Sequence, residues 1–401
     1  MKLSEELEWR GYAHQFTFKN LAEVDNKKIV VYLGTDPSGE SLHIGHLASQ
    51  MLARCFLEHG AKVILLIGGG TGQVGDPRDT NERDLISIED VEANKKALAK
   101  QVSQLFGGQD FELVDNAEWL SDVNLLDFLR DTGKYFSMGQ LIDREHFKAR
   151  VGEGKSGMSF AEFSYTLLQG YDYWNLYKNY GVNLQIGGSD QWGNILSGVD
   201  LVRKKEGVEV DALTVNLVID PATGRKFGKS ESGEGVWLAA KKTSPYKFYQ
   251  FWLNVSDEGS IQFLKLYTRL DRSEIEQLDA KMQDDPSTRE AQKALAFAVT
   301  KLVHGEETAS AVRHASEALF GRDELSEKDF EILASELPTA EVGVSVVEAL
   351  VQTGLASSNG EALRLIKGNG VSLNDVKLTE DQKITQRALL KKGKNSFVLV
   401  K

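Results

Sequence analysis

Short apolar runs alternate with longer amphipathic stretches over the first half of the chain. Residues 29–34 (IVVYLG) and 63–68 (VILLIG) are rich in apolar and β-branched residues and end in glycine, which is typical of buried strands in a parallel sheet. Three weaker runs of the same kind occupy residues 111–114, 184–187 and 213–219. Helical patterns lie between the runs, for example over residues 42–59 and 160–180. This alternation predicts a doubly wound α/β domain, which binds its ligand beyond the carboxyl ends of the strands.

The pattern changes after about residue 220. Residues 244–304 are mostly helical in periodicity, and residues 326–342 predict a helix followed by a linker. The last part of the chain combines an amphipathic helix with short β runs at 371–373 and 397–400. We therefore predict a Rossmann-like parallel-sheet catalytic domain, an α-helical domain and a small α+β module. Their expected bounds are residues 1–222, 223–330 and 341–401.

Composition narrows the class of protein. Apolar residues make up 41% and charged residues 26% of the 401 positions, as in ordinary globular proteins. The single cysteine, Cys55, excludes a disulfide framework and a thiolate metal cluster. Residues 1–10 lack the pattern of a signal peptide, and no run of about 18 apolar residues could span a bilayer. The expectation is a cytoplasmic protein with no membrane association.

The net charge of −12 argues at first against nucleic acid as a partner. The charge is unevenly distributed, however. Residues 341–401 hold nine Lys or Arg and six Asp or Glu, a net charge of +3, so the remainder of the chain carries −15. From Arg387 onward there are five basic residues and no acidic one. This segment is either a solvated tail or part of a small RNA-binding module.

The first candidate site follows the strand at residues 29–34. His43 and His46 are three residues apart at the start of a predicted helix, whose N–H groups favour an anion. Gly45 between them lets a ring or a phosphate approach the backbone. A zinc pair or two incidental surface histidines would fit an isolated motif, but no further ligands complete a metal set. The strand–turn–helix context favours a phosphate site.

The second candidate site is a basic loop at residues 224–230 (GRKFGKS). Lys226 and Lys229, with the hydroxyl of Ser230, could clamp a polyphosphate as mobile charges. The spacing does not match the P-loop pattern. On its own, such a loop is commonly just solvated.

Together the two motifs resemble the two signatures of the class I aminoacyl-tRNA synthetases, His-Ile-Gly-His at 43–46 and Lys-Phe-Gly-Lys-Ser at 226–230. Further blocks resemble the bacterial tyrosine-specific branch of that family, and the C-terminal module resembles the ribosomal protein S4-type RNA-binding domain. These blocks are residues 68–83, 163–172, 184–194 and 243–246. The resemblance covers essentially the whole chain. It implies a tyrosine–tRNA ligase that makes tyrosyl-adenylate and pyrophosphate from L-tyrosine and ATP, then transfers tyrosine to the 3′ end of tRNA(Tyr).

Spacing within the second of these blocks agrees with a buried recognition site. Tyr165, Gln169 and Asp172 follow one another at i, i+4 and i+7, which places them on one face of a helix. A polar surface stripe is the alternative interpretation. The apolar neighbours Phe163 and Leu167 favour a buried line instead.

The resemblance also implies a role for each site residue. Tyr32 and Asp172 would contact the phenolic hydroxyl of the substrate, and the full set expected to bind tyrosine is Tyr32, Asp76, Tyr165, Gln169, Asp172 and Gln191. The residues expected to bind ATP are Gly34, Asp36, Ser38, Gly45, Gly188, Asp190 and Lys229. The residues expected to stabilise the reacting phosphates are His43, His46, Lys226, Lys229, Ser230 and Arg83. ATP with Mg²⁺ would be a substrate, no prosthetic group or resident metal is expected, and the chain would form a homodimer.

The chain departs from the family pattern in places. Leu33 stands where relatives often have cysteine, so a polar contact to the ribose would be missing. The loop at residues 78–83 lacks a lysine, and Arg78 is one candidate to replace it. The alternatives are a His-x-Gly-His nucleotidyltransferase, which would be shorter and lack the C-terminal module, and a non-catalytic RNA-binding relative, which would have lost catalytic residues. A tryptophan-specific relative is disfavoured by Tyr32 and Asp172.

Overall fold

Six strands form a mixed sheet in the computed structural model of this chain. In sequence order they are β1 Gln15–Phe16, β2 Val30–Thr35, β3 Lys62–Ile67, β4 Glu112–Asp115, β5 Leu184–Gly188 and β6 Asp211–Val215. The spatial order is β1-β6-β5-β2-β3-β4, with β1 antiparallel to β6 and all other pairs parallel. From β2 the chain proceeds outward to β3 and β4, then returns to the other side for β5 and β6. The point of reversal lies between β2 and β5, where doubly wound sheets bind their ligands.

The structure describes residues 1–77, 86–142, 145–151, 155, 157–219, 224, 235–320, 325–393 and 396–401. The chain divides into two compact units. The first comprises Met1–Thr243 with Val255–Leu295, and the second comprises Ser244–Asn254 with Ala296–Lys401. No helix within the described ranges is both long and apolar enough to cross a membrane.

Nine α-helices are described before residue 210, in and around the sheet. They are α1 Leu3–Arg10, α2 Ile44–Glu58, α3 Ile88–Phe106, α4 Ala117–Leu120, α5 Leu125–Asp131, α6 Met138–Ile142, α7 Glu145–Arg150, α8 Phe160–Tyr180 and α9 Trp192–Glu206. Helices α8 and α9 pack on the sheet through one apolar cluster that includes Tyr32, Ile64, Tyr173 and Ile195. Helix α2 contacts β2, β3 and β5. The predicted doubly wound α/β fold is confirmed.

Local sequence explains the ends of α8. Ser159 precedes the helix and its hydroxyl accepts the Glu162 N–H at 3.2 Å, while the Glu162 carboxylate accepts the Ser159 N–H. The helix ends at Gly181, whose φ of 72° is in the left-handed region that favours glycine. The buried Arg150 guanidinium bonds to Glu162 at 2.6 Å. These contacts fix the helix that carries three predicted site residues.

Helices dominate the middle of the chain, as its periodicity predicts. They are α10 Pro245–Leu253, α11 Asp257–Tyr267, α12 Arg272–Asp284, α13 Glu290–His304, α14 Glu306–Phe320 and α15 Glu327–Ala334. The C-terminal module follows with two further helices, α16 Val346–Gln352 and α17 Asn359–Lys367.

A five-stranded sheet forms the C-terminal module with α16 and α17. Its strands are β7 Thr339–Ala340, β8 Val371–Leu373, β9 Val376–Lys377, β10 Ala388–Lys392 and β11 Ser396–Val400, in the order β7-β11-β10-β8-β9. Strand β10 is central, and Leu390 within it is fully buried. Lys391 is also largely buried and bonds to Asp375 at 2.6 Å. The basic segment after Arg387 is therefore part of a folded module, so the solvated-tail interpretation is wrong.

Most predicted strands lie within two residues of the observed ones. The exceptions have simple causes. The apolar run at 213–219 forms a strand only to Val215. Strand β10 was missed because its sequence, ALLKK, lacks both β-branched residues and alternation. The first predicted helix begins later than expected, at Ile44, because His43 caps it.

Candidate active site

A cavity of about 1100 Å³ opens beyond the carboxyl ends of β2 and β5. Every predicted site residue within the described ranges lines it. These residues are Tyr32, Gly34, Asp36, Ser38, His43, Gly45, His46, Asp76, Tyr165, Gln169, Asp172, Gly188, Asp190 and Gln191. Four predicted residues lie outside the described part of the chain, namely Arg83, Lys226, Lys229 and Ser230. The strand edge thus gathers residues that are up to 159 positions apart in sequence.

The two histidines meet at the start of α2. The Gly45 N–H donates to Nδ1 of His43 at 3.0 Å, and the His43 N–H donates to Nδ1 of His46 at 3.3 Å. The ring centroids are 3.9 Å apart. Burial lowers the pKa of His43, so its ring is neutral at pH 7. With Nδ1 acting as an acceptor, the proton of that neutral ring sits on Nε2, which makes Nε2 a hydrogen-bond donor.

The ring that approaches the backbone of Gly45 is the imidazole of His43. A Cβ atom at this position would lie 2.7 Å from Cε1 and 2.9 Å from Nδ1 of His43. Glycine is therefore required for the His43 ring to fold back over the helix start. The edge of Trp237 packs against the same ring, with centroids 5.7 Å apart.

A buried carboxylate lies at the other end of the cavity. Asp172 is 3% exposed, and its Oδ1 and Oδ2 accept hydrogen bonds from Trp119 at 2.7 Å and from Asn116 at 2.9 Å. Burial raises the pKa of Asp172 to about 7, against the lowering effect of those two bonds. Near neutral pH this group titrates.

Tyr32 accompanies Asp172 in this part of the cavity. Its side chain is 1% exposed, and its hydroxyl has no hydrogen-bond partner among the described residues. Burial, assisted by the charge of Asp172, holds the pKa of Tyr32 well above its ordinary value. The phenol therefore stays protonated and remains a potential donor. A buried polar group without a partner is costly unless a ligand supplies one.

Side-chain amides surround a second carboxylate of the cavity, that of Asp76, and we call this group the Asp76 cluster. Its Oδ2 accepts the Gln191 amide at 2.7 Å, and its Oδ1 accepts the Asn194 amide at 3.1 Å. Asn194 is held in turn by the Thr166 hydroxyl at 2.8 Å. In the same cavity, Oε1 of Gln169 is buried and has no partner in the described structure. This cluster offers negative charge and open hydrogen-bonding capacity to a cationic group.

Tyr165 contacts the carboxylate of Asp36. Its hydroxyl donates to Oδ2 of Asp36 at 2.8 Å, and the Thr71 hydroxyl donates to Oδ1 at 2.7 Å. A Cβ atom at Gly68 would lie 2.0 Å from Asp36 Oδ1, so the turn after β3 must be glycine at this point. Asp36 is thus tied both to α8 and to that turn.

Sequence reasoning missed the residues that hold these groups in place. Asn116 is fully buried: its Nδ2 donates to Thr71 at 2.9 Å as well as to Asp172, while its Oδ1 accepts the Gly70 N–H at 2.8 Å. The available signal was position, since Asn116 directly follows β4 at the same sheet edge as the other site residues. The result is a continuous hydrogen-bond network from Tyr165 to Trp119.

Comparisons with known proteins agree with this geometry. The family model of tRNA synthetases class I (W and Y) matches residues 24–321. A tyrosine–tRNA ligase of Neisseria meningitidis serogroup C is 47% identical over 362 residues, covering 88% of this chain and 84% of that protein. A tyrosine–tRNA ligase of Corynebacterium diphtheriae is 41% identical over 426 residues, covering 100% and 99%.

Solved structures extend the likeness to the fold. A C-terminally truncated mitochondrial tyrosyl-tRNA synthetase of Aspergillus nidulans superposes with a TM-score of 0.71 at 31% identity, covering 80% of this chain and 94% of that one. A tryptophanyl-tRNA synthetase of Encephalitozoon cuniculi has a TM-score of 0.57 at 15% identity, covering 78% and 89%. The second likeness concerns the fold alone. With a family model matched over most of its length and relatives above 40% identity across nearly all of it, this chain belongs to the class I tRNA synthetases of the tyrosine and tryptophan group.

Proposed function

We propose that this chain is a tyrosine–tRNA ligase. It activates L-tyrosine with ATP to tyrosyl-adenylate and pyrophosphate, then transfers the tyrosyl group to the 3′ end of tRNA(Tyr). The observation that carries the proposal is the unpartnered Tyr32 hydroxyl beside the buried Asp172 carboxylate. The names of the curated relatives support the same activity. Neither a nucleotidyltransferase nor a non-catalytic relative is favoured by them.

The phenol end of the cavity selects the amino acid. A tyrosine hydroxyl can donate to Asp172 and accept from Tyr32, which satisfies both groups at once. Each Asp172 oxygen already accepts one bond and retains capacity for another. Phenylalanine would leave the buried Tyr32 hydroxyl without a partner, and that unmet bond lowers its affinity.

The other end of the amino acid meets the Asp76 cluster. The carboxylate of Asp76 and the open Oε1 of Gln169 suit the α-ammonium group, with Tyr165 on the same helical face. Gln191, which bonds Asp76 at 2.7 Å, is positioned for the tyrosine carboxylate. The carboxylate then points toward the histidines at the start of α2.

Adenylate formation needs no covalent enzyme intermediate. A tyrosine carboxylate oxygen attacks the α-phosphorus of ATP, and the bond from that phosphorus to the bridging oxygen of pyrophosphate breaks. His43, His46 and the first N–H groups of α2 stabilise the charge on the α-phosphate, assisted by Ser38. Lys226, Lys229, Ser230 and Arg83 hold the departing pyrophosphate. Mobile cations of this kind raise the rate when they bind the transition state more tightly than the substrate.

ATP is bound as a substrate by the strand edge, through Gly34, Asp36, Gly45, Gly188 and Asp190. Mg²⁺ enters with the ATP phosphates as part of that substrate. This fits the donor set, since the carboxylates of Asp36 and Asp76 each accept two side-chain hydrogen bonds from neighbouring residues. Phosphate oxygens are the ligands that Mg²⁺ commonly uses in such sites.

The C-terminal module binds the tRNA. We divide the chain into a catalytic domain at 1–222, a helical domain on the anticodon side at 223–330 and an S4-type domain at 341–401. The net charge of +3 in the last segment supports this role. Exposed basic side chains of the module include Arg364, Lys367, Lys377 and Lys383. The curated relatives reported above are bacterial enzymes, which supports a cytoplasmic location for the chain.

Two copies of the chain form the functional unit. Helix α5 exposes Leu125 by 66%, Leu126 by 73% and Leu129 by 46%, and Phe160 at the start of α8 is 73% exposed. Exposed apolar groups of this size on neighbouring elements are typical of an interface. A second copy would cover them.

Exchange of labelled pyrophosphate into ATP tests the activity directly. We expect exchange that depends on tyrosine, followed by charging of tRNA(Tyr) when tRNA is supplied. Exchange driven by tryptophan alone, or none with any amino acid, would overturn the proposal. Charging without detectable exchange would contradict the two-step order.

A further inference from the structure

Four buried polar atoms in the active-site cavity have no hydrogen-bond partner among the described residues. They are the hydroxyl of Tyr32 and the Oε1 atoms of Gln50, Gln169 and Gln185, and all four residues line the cavity. Tyr32 and Gln169 have partners in the proposed tyrosine site. Gln185 is paired in register with Tyr32 on the adjacent strand, which places it on the tyrosine side as well. Gln50 is left with no role.

Gln50 belongs to the helix that begins the phosphate site. It follows His46 by four residues on α2, so it lies on the same helical face, about 6 Å further along the axis. It is 2% exposed. If the α-phosphate sits at the start of α2, the next group of the nucleotide is the ribose. One helical turn is roughly the span from an α-phosphate to the far hydroxyls of its ribose.

The chemistry of the two groups matches. A glutamine amide offers both a donor and an acceptor, and a ribose hydroxyl does the same, so either edge of the amide can bond it. Leu33, which lines the same cavity from β2, has no polar side-chain atom to offer. A buried amide with an unmet bond gains most from a partner that arrives with the ligand.

We propose that the side-chain amide of Gln50 hydrogen-bonds a ribose hydroxyl of ATP and of the adenylate, and so selects ribonucleotides over deoxyribonucleotides. This inference rests on the proposed function. Gln50 is a specificity residue that touches the substrate but takes no part in the bond changes. Its contribution therefore depends on the sugar and not on the amino acid.

The test compares ATP with 2′-deoxyATP and 3′-deoxyATP in tyrosine-dependent pyrophosphate exchange. The variant is Gln50→Leu, which keeps a similar volume and removes the amide. With ATP we expect kcat/KM to fall about fivefold, the range of one neutral hydrogen bond. With the deoxy analogue that lacks the bonded hydroxyl, wild type and variant should be equal. The KM for tyrosine should not change.

Gln109→Leu is the matched control. Gln109 also has a buried Oε1 without a partner in the described structure, but it does not line the cavity. The Gln109→Leu variant should discriminate between ATP and the deoxy analogues as wild type does. Gln50→Met, which is longer and unbranched, replaces Gln50→Leu if thermal melting shows that the leucine variant is unfolded.

Two results would overturn the inference. One is an equal loss with ATP and both analogues, which indicates a purely structural role for Gln50. The other is no loss with any nucleotide. In either case, wild-type exchange with tyrosine would leave the proposed function standing. Absence of exchange in the wild type would instead overturn the function itself, together with the role of Gln50.

Discussion

The side-chain amide of Asn116 donates to Oδ2 of Asp172 over 2.9 Å, in an environment where neither group contacts solvent appreciably. This bond opposes the effect of burial, which raises the pKa of the carboxyl to about 7. Asp172 must be ionised to accept the hydrogen of a substrate phenol. The balance between burial and the Asn116 bond therefore sets the pH range in which the site can bind tyrosine through Asp172.

The first prediction concerns pH. Because Asp172 protonates near pH 7, tyrosine affinity should weaken as the pH falls below that value. Asn116→Ala removes a bond that favours the carboxylate, so the midpoint should move to higher pH. This midpoint is measured by equilibrium binding of tyrosine from about pH 5.5 to about pH 8.5, a range that brackets the raised pKa of Asp172. An unmoved midpoint would contradict the assignment of the titration to Asp172.

The pH dependence of protein stability is a second, independent measure of the Asp172 titration. The folded-state pKa of Asp172 is raised, so native stability from this group is present at low pH and is lost as the pH rises from about 4 through 7. Asp172→Asn removes the titration. The melting temperature of the variant relative to that of wild type should therefore rise as the pH increases through that interval.

The second prediction concerns Tyr32. Tyr32→Phe removes a buried hydroxyl without a partner among the described residues, so stability should be unchanged or higher. Selection of tyrosine over phenylalanine should drop roughly fivefold to tenfold, the value of one neutral hydrogen bond. Pyrophosphate exchange with each amino acid measures the ratio. Lower stability with intact selection would show that the hydroxyl serves the fold.

The third prediction concerns the histidine end. His46→Ala should slow adenylate formation by about a hundredfold, as for loss of one donor to a developing charge, with little change in tyrosine affinity. Rapid-mixing kinetics separates the two quantities. Loss of tyrosine binding with the chemical step intact would contradict the role. Gly45→Ala should produce a similar defect, because its Cβ would meet the His43 ring at 2.7 Å.

The fourth prediction concerns the C-terminal module. Removing residues 341–401 should spare pyrophosphate exchange and impair tRNA charging, since the module has its own buried core. Equal charging by the full and shortened chains would refute the RNA-binding role.

The fifth prediction concerns self-association. Leu126→Asp places a charge on the exposed face of α5 and should shift the chain from dimer to monomer. Val376→Asp is the control, because Val376 is similarly exposed, at 67%, but lies in the C-terminal sheet. Light scattering of both variants distinguishes them. A dimer that tolerates the first change would place the interface elsewhere.

Sequence reasoning succeeded where function depends on local pattern. The spacing of Tyr165, Gln169 and Asp172 places them on one face of a helix and predicted three residues of the cavity. The carboxyl ends of the strands predicted where the cavity lies. It failed where a role depends on partners distant in the chain. Asn116 and Gln50 carry no motif, and their importance follows from burial and from bonds made or unmet in three dimensions.

Asn116 also has a consequence for how selectivity could change. Its Oδ1 accepts the Gly70 N–H, so the amide cannot turn over, and both Nδ2 hydrogens are committed to Thr71 and Asp172. Replacing Asp172 alone with an apolar residue would leave one N–H of the Asn116 amide buried without an acceptor. In an ancestor of this chain, a single substitution at Asp172 that changed the amino-acid substrate would therefore also have lowered the stability of the protein. Engineering of the site faces the same constraint, and the pair must be redesigned together.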